Sequence, residues 1–403
     1  MSADRPPRSE ARDRERSRDL LPGVEARATG GLERIAGRRL LVCVGPGGVG
    51  KTTVAASVAL GAALEGRKAL VCTIDPARRL GSSLGLKELG NVEVEIPADR
   101  LAEAAGGARP RGRLFAMMLD LKRSWDDIVA RYSRSPEQRD RIYANRYYRQ
   151  ISNAVAGSRE YAAVEKLYEL STDRDYDLIV LDTPPTAHAL DFLDAPNRVL
   201  DFLDNDAARW LLTPALTAGK VGFQVLGFGS GRIVRGISRF TGLETLRELA
   251  DFMLSLSGMY EGFKERAAEV KALLGGPQAS FLLVTTPQPL AVTEALRFHE
   301  LLGKDGLHVS TVVANRVHPP AGAPEPAALA AALARVPGLP DDFGPRLSAT
   351  LHDAQTLWRA DQAELSRLRR EKIPFVEVLR RDRDVHDVKA LAAFAAEMAG
   401  AKA

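Results

Sequence analysis

Gly45-Pro46-Gly47-Gly48-Val49-Gly50-Lys51-Thr52-Thr53 joins an apolar run, Leu40 to Val44, to an alanine-rich helical pattern that begins at Lys51. Glycines let consecutive backbone N–H groups curl around an anion, and a helix that starts at the loop offers its positive end. Lys51 adds a mobile positive charge and Thr52 a hydroxyl for a Mg²⁺ ion. The pattern therefore predicts a phosphate-binding loop, with Gly45, Gly47, Gly48, Val49, Gly50, Lys51, Thr52 and Thr53 as nucleotide-binding residues and Lys51 also catalytic. The same letters spell Gly45-x-Gly47-x-x-Gly50, a dinucleotide fingerprint, and Asp75 follows Gly50 by 25 residues, where a ribose-binding acid would stand. Lys51-Thr52 separates the two readings, because a dinucleotide fold packs its helix against the strand there and has no use for an ammonium followed by a magnesium ligand.

Two further segments carry chemistry. Asp177-Leu178-Ile179-Val180-Leu181-Asp182-Thr183-Pro184-Pro185-Thr186-Ala187-His188 places an acid at the end of a buried strand, the position of a ligand to Mg²⁺ or to its water. The Pro-Pro turn behind it gives a segment that can register the terminal phosphate. An isolated strand-ending Asp is often a helix cap; beside a phosphate loop it becomes a metal-site residue. In Thr73-Ile74-Asp75-Pro76-Ala77-Arg78-Arg79-Leu80, a carboxylate after the second strand can orient an attacking water. Its plain alternative is a turn aspartate before proline.

These residues need a scaffold that delivers strand ends to one place. The pattern predicts a strand at Leu40 to Val44, a helix from Lys51 to about Glu65 closed by Gly66, a strand at Ala69 to Asp75 and another at Leu178 to Leu181, with later runs at Phe281 to Val284 and Val309 to Ala314. Alternating strands and helices imply an α/β fold with a mostly parallel, doubly wound sheet whose ligands bind at the carboxyl ends of the strands. Residues 1–37 mix arginines with acids, prolines and glycines and read as a flexible charged arm before a domain at 38–403. Two stretches, about 114–170 and 196–276, read as helical and suggest an inserted helical subdomain. Within the second, Leu211 to Phe240 alternates apolar residues with glycines and few charges, which suits a surface for an apolar client, a tightly packed helix pair or a mobile loop.

Composition narrows the class. At 403 residues and 45% hydrophobic content the chain can bury a large core, and its charge of +4, with opposite signs interspersed, gives no nucleic-acid footprint. No uninterrupted apolar run reaches transmembrane length, and residues 1–19 are rich in charge, so the expectation is a cytoplasmic protein. Cys43 and Cys72 lie in apolar runs and read as core residues, not as a disulfide or metal pair.

The loop with its double glycine, the Asp-Pro-Ala at Asp75, and Asp-Thr-Pro-Pro-Thr-Ala-His with the Leu190 to Leu193 run together resemble the ArsA family of P-loop ATPases, which includes arsenite-pump subunits and the cytosolic ATPase that escorts tail-anchored membrane proteins. The resemblance runs from Leu40 to about Phe394. It implies ATP and Mg²⁺ as cofactors, Asp75 as the water-positioning residue, Asp182 to His188 as a second switch, Asn315 as an adenine contact and Pro374 beside the base. It also implies a homodimer, or a heterodimer with a paralogous ATPase, acting on a hydrophobic client or membrane-protein partner. Two departures matter. The family's lysine before the double glycine, which reaches the partner's nucleotide across the dimer, is Pro46 here, so the charge must be missing, come from Arg78 or Arg79, or come from a paralogous subunit. Metal-binding cysteines are also missing, and the corresponding stretch, Pro319 to Pro340, is rich in Pro and Ala; arsenite transport, like dinucleotide-dependent oxidoreduction, is a remote reading.

Overall fold

The structure is a computed structural model that describes residues 35, 37–74, 79–86, 88–146, 148–149, 158–184, 260–322, 324–340 and 342–400. Its centre is an eight-stranded sheet: β1 Leu40–Val44, β2 Lys68–Thr73, β3 Val94–Glu95, β4 Arg113–Met118, β5 Leu178–Asp182, β6 Ala279–Thr285, β7 Val309–Val317 and β8 Phe375–Leu379. The order across the sheet is β3-β4-β2-β5-β1-β6-β7-β8. Every pair is parallel except the short edge strand β3, which runs antiparallel to β4.

Near-continuous apolar strands are what a parallel sheet covered on both faces demands, and alternate side chains feed two separate cores. Leu40, Val42 and Val44 of β1 enter one; Leu41 and Cys43 enter the other. The first core is covered by helices α4 Leu121–Tyr132, α6 Ser158–Asp173, α7 Tyr260–Gly275, α8 Pro289–Lys304 and the C-terminal part of α10 Phe343–Arg370. The second is covered by α1 Lys51–Leu64, α2 Arg79–Ser83, α3 Ala98–Ala104 and α11 Val388–Met398. Helices α5 Pro136–Ala144 and α9 Pro326–Leu333 complete the described set. α1 is apolar nearly all round because it lies between the sheet and α11; a Cβ on Gly61 would stand 3.2 Å from Ala395. It ends at Gly66, whose φ of 102° lets the chain turn back while its N–H donates to the Ala63 carbonyl.

The strands predicted at Leu40, Ala69, Leu178, Phe281 and Val309 are all present, the second ending at Thr73 rather than Asp75. The stretch 114–170, read as helical, needs correction: residues 113–118 are strand β4, paired in register with β2 from Lys68↔Arg113 to Thr73↔Met118. Both of its faces are covered, so Leu114, Phe115, Ala116 and Met117 show no polar alternation, and an apolar run of this length is ambiguous between strand and buried helix. The helices of this stretch begin at Leu121, where the Asp120 carboxylate accepts a hydrogen bond from the Arg123 backbone N–H at 2.9 Å. The stretch 196–276 is described only from Tyr260, as α7; Leu211 to Phe240 lies outside the described residues. Most of the expected arm does too, but Ile35 is buried in the second core.

Candidate nucleotide-binding site

β1 stops at Val44 and the chain turns over the carboxyl end of the sheet into α1. Two turn positions admit only glycine. A Cβ on Gly45 would lie 2.1 Å from the Val284 carbonyl oxygen of β6. Gly50, the cap of α1, has a φ of 98°, and a Cβ there would lie 2.4 Å from the Asn315 amide nitrogen. The loop is thus pressed against β6 on one side and the end of β7 on another. Gly47 and Gly48 face outward, while Val49 is buried in the second core and anchors the loop's far side. Thr53 follows in the first turn of α1.

Lys51 is 6% exposed and donates from Nζ to the Gly45 and Pro46 carbonyl oxygens, each at 2.8 Å, so the ammonium lies across the loop that would wrap the anion. Thr52 Oγ1 donates to Asp182 Oδ2 at 2.7 Å, and Thr73 Oγ1 donates to the same oxygen at 2.8 Å. Asp182 ends β5 and is 0% exposed. This places a buried carboxylate and two hydroxyls around one point beside the N-terminus of α1. An all-oxygen donor set containing one carboxylate suits a hard divalent cation such as Mg²⁺. The field of Asp182 reaches its neighbours: burial, then the Asp182 charge, push the Cys43 thiol well above its ordinary range, with Lys51 opposing. The Cys72 thiol is pushed up to about 12, chiefly by burial. Both cysteines are free, buried and inert as nucleophiles.

The chain after Asp182 stays close to β1. Thr183 donates from Oγ1 to the Cys43 carbonyl at 2.7 Å, and residues 185–188 lie outside the described residues. Asp75 and Arg78 do as well; the chain approaches them from Ile74, whose N–H donates to the Asp182 carbonyl at 3.1 Å. Arg79 opens α2 and is exposed.

Asn315 and Pro374 fare differently. β7 bulges against β8 between Ala314 and Val317, and Arg316 takes a φ of 63°. Bulges re-aim side chains beside active sites, and this one turns the Asn315 amide onto the loop, where Nδ2 donates to the Val49 carbonyl at 2.8 Å. Its Oδ1 accepts from the Arg316 N–H at 2.9 Å, so one end of the amide holds the loop while the other is fixed to its own strand. Pro374 precedes β8, and its carbonyl accepts from the Val312 N–H and the Thr311 hydroxyl of β7. The placement of Pro374 beside the base therefore needs correction: β8 is parallel to its neighbours, so ligands at the strands' carboxyl ends meet the residues after Leu379, not the one before Phe375. Thr73 was quoted in a motif but given no role in the sequence reading. Its part at Asp182 follows from the register of β2 on β5, Thr73↔Asp182, which no spacing along the chain reveals.

Residues 38–208 match the family described as anion-transporting ATPase. An uncharacterized protein of Streptomyces coelicolor is 30% identical over 288 residues, covering 70% of this chain and 63% of that protein. ATPase GET3B of Arabidopsis thaliana is 26% identical over 306 residues, covering 70% and 65%. ATPase GET3 of Malassezia globosa is 25% identical over 283 residues, covering 70% and 74%. The chain spans a little under two thirds of the length of the first two relatives.

Proposed function

Because this chain belongs to the ArsA family of P-loop ATPases, we propose that it binds ATP with Mg²⁺ at loop 45–53 and hydrolyses it. The observation that carries this reading is the meeting of Lys51, Thr52 and the buried Asp182 at the carboxyl end of β1. Backbone N–H groups of the loop and the N-terminus of α1 receive the phosphates. Lys51 exchanges its two loop carbonyls for phosphate oxygens, a charge-assisted pairing stronger than the one it leaves. Thr52 and Asp182 would hold Mg²⁺, which when bound neutralises charge on the β- and γ-phosphate oxygens. Asp75 would orient the water that attacks the γ-phosphorus, a role for which the approach of Ile74 to Asp182 brings the chain to the right end of the sheet.

The remainder of the reading rests on the family. The protein works in the cytoplasm as a dimer; the helices from Leu121 and the stretch 196–276 form a subdomain that opens and closes with the nucleotide on a hydrophobic client, for which Leu211 to Phe240 is the candidate surface. Among the described residues no helix is long and apolar enough to cross a membrane. Pro46 supports a second reading, a slow-hydrolysing regulatory subunit completed by a lysine-bearing paralogue.

Nucleotide binding by fluorescence titration and steady-state phosphate release test the core of the proposal. Lys51→Ala is expected to weaken ATP binding by about 2 kcal/mol or more, the scale of a lost charge-assisted bond in a partly desolvated loop. Asp75→Asn is expected to keep binding and lose turnover, since water positioning acts on the transition state. A folded Lys51→Ala protein with unchanged affinity and turnover would remove the loop from the site; equal loss of binding in Asp75→Asn would make that residue a turn former.

A further inference from the structure

Eight basic residues and four acids lie between Lys122 and Arg149, so this one segment carries an excess equal to the +4 of the whole chain. It builds α4, α5 and the turn that follows. Its acids are largely answered within the fold. Asp126 receives Lys122 Nζ and the Tyr148 hydroxyl, each at 2.8 Å, and Asp140 receives Arg139 Nε at 3.1 Å. Asp127 lines a cleft between α4 and α6 together with Arg131, Glu165, Lys166 and Glu169. Glu137 stands in the first turn of α5, where the positive end of the helix meets its charge.

The arginines are answered less well. Arg131 is paired with Glu165, Glu169 and Asp173. Arg123, Arg134 and Arg141 are exposed and have no ion pair among the described residues. Arg141 Nε donates to the Glu137 carbonyl at 3.2 Å and Arg149 Nη2 to the Ala144 carbonyl at 3.4 Å, contacts that orient a guanidinium without neutralising it. The hydroxyls of Tyr143 and Tyr148 both reach Asp126, at its carbonyl and its carboxylate, and their ring centres are 5.8 Å apart. Residues 143–149 are thereby folded toward the part of α4 where Arg123 stands, one turn before Asp126. Arg134, just before α5, and Arg141, about two turns on, extend the array along that helix. Packing asks little of these side chains, since Ile142 is the buried residue of α5. Like charges gathered without counter-charges repel, a cost that an anionic partner removes.

Three features of the surface select its anion. Seven of the eight cations are arginine, whose planar fork pairs bidentately with carboxylates. Among the described residues neither α4 nor α5 exposes a large apolar side chain that could enter a bilayer. Tyr148 is buried and Tyr143 half-buried, each with its hydroxyl engaged, so neither ring is offered to a nucleic-acid base.

We propose that α4, α5 and the turn to Arg149 form a docking surface for an acidic, extended segment of a partner protein. Its carboxylates pair with Arg123, Arg134 and Arg141, and Arg146 and Arg149 add to the field that attracts them. The surface is independent of the nucleotide and stands whether or not loop 45–53 binds ATP.

The probe is a fluorescein-labelled oligoglutamate peptide titrated with the full chain at low salt and read by fluorescence anisotropy. Binding is expected, and Arg123→Gln, Arg134→Gln and Arg141→Gln combined should weaken it about tenfold or more, with circular dichroism and melting unchanged. Lysine at the same three positions keeps the charge but not the fork, and should restore only part of the loss. Arg109→Gln, Arg111→Gln and Arg359→Gln combined, which remove exposed arginines before β4 and on α10, should leave affinity within about twofold of the native chain. A loss as large in this control as in the array would make the attraction one of net charge and overturn the inference. So would absence of peptide binding at low salt, or tighter binding of phosphatidylserine vesicles or oligothymidylate than of the peptide through the same three arginines.

Discussion

Asn315 shows how much one side chain can do for a loop it is distant from in sequence. Its amide closes the gap between the end of β7 and the turn at Val49 and Gly50, and it occupies the space that a Cβ at Gly50 would need. Asn315→Ala is expected to leave the Val49 carbonyl without its donor at a buried position and to lower stability by about 1–2 kcal/mol, with a parallel loss of ATP affinity as the loop loosens. Asn315→Asp should be worse, because a carboxylate facing a carbonyl oxygen repels where the amide attracted. Denaturant unfolding and ATP titration check both; an Asn315→Asp protein equal to wild type in each would refute the brace. At Gly50 the two constraints coincide, a left-handed φ and a contact distance of 2.4 Å, so replacement by alanine adds strain and overlap together.

Among the elements, α7 is fastened to its neighbours by charge. Arg266 donates to the Tyr132 hydroxyl of α4 at 3.0 Å, lies 3.4 Å from Glu165 Oε1 of α6, and places its guanidinium 3.9 Å from the centre of the Tyr168 ring. Gly262 lets α7 come this close, since a Cβ there would stand 2.8 Å from the Tyr132 ring. Glu165 is 4% exposed; its Oε1 also receives the Tyr132 hydroxyl at 3.0 Å and lies 3.7 Å from Arg131, while its Oε2 has no hydrogen-bond partner among the described residues. Removing one partner of a buried pair leaves an uncompensated charge, so Arg266→Ala is expected to cost about 3 kcal/mol in denaturant unfolding. Burial holds the Glu165 carboxyl above its ordinary 4.5, aided by Glu169 and opposed by Arg266, Tyr132 and Arg131. The folded chain then binds this proton more tightly than the unfolded chain. The contribution to stability is complete below the ordinary value and is lost as pH rises through the raised one. Glu165→Gln should flatten that part of the stability profile, and an unaltered profile would show that other groups set it.

At the scale of the molecule, Pro46 raises the question of whether this chain is catalytically complete. The described structure has the Pro46 carbonyl serving Lys51 from within the same loop, while a proline side chain can offer no charge to a neighbouring subunit. If the active assembly needs a lysine in trans, the isolated chain turns over slowly, and Pro46→Lys raises steady-state hydrolysis by about tenfold or more through added charge at the partner's phosphates. That gain should appear only where sedimentation shows a dimer. If Arg78 or Arg79 supplies the charge instead, the native chain is active alone and Arg→Ala at one of them removes most of the rate. Robust native turnover insensitive to either arginine would exclude both accounts.

The glycine-rich loop at a helix start, the acid closing β5 and five of the strands around them were legible along the chain, because each is a local pattern: glycines at fixed spacing, a lysine and a threonine at a helix start, an acid closing an apolar run. β4 was not, since a strand buried on both faces loses the alternation that marks strands, and β3 and β8 are too short or too mixed to announce themselves. What the tertiary structure decided are relations between distant residues. Thr73 meets Asp182 only because β2 lies beside β5, and Asn315 reaches the loop only because β7 bulges there. Pro374 and Arg380 are close in sequence, yet one precedes β8 and the other follows it, and only the direction of that strand within the sheet decides which stands at the ligand end. Local chemistry is written in residue types and spacing; which groups share a point in space depends on strand order and register, which arise from packing over the whole sheet.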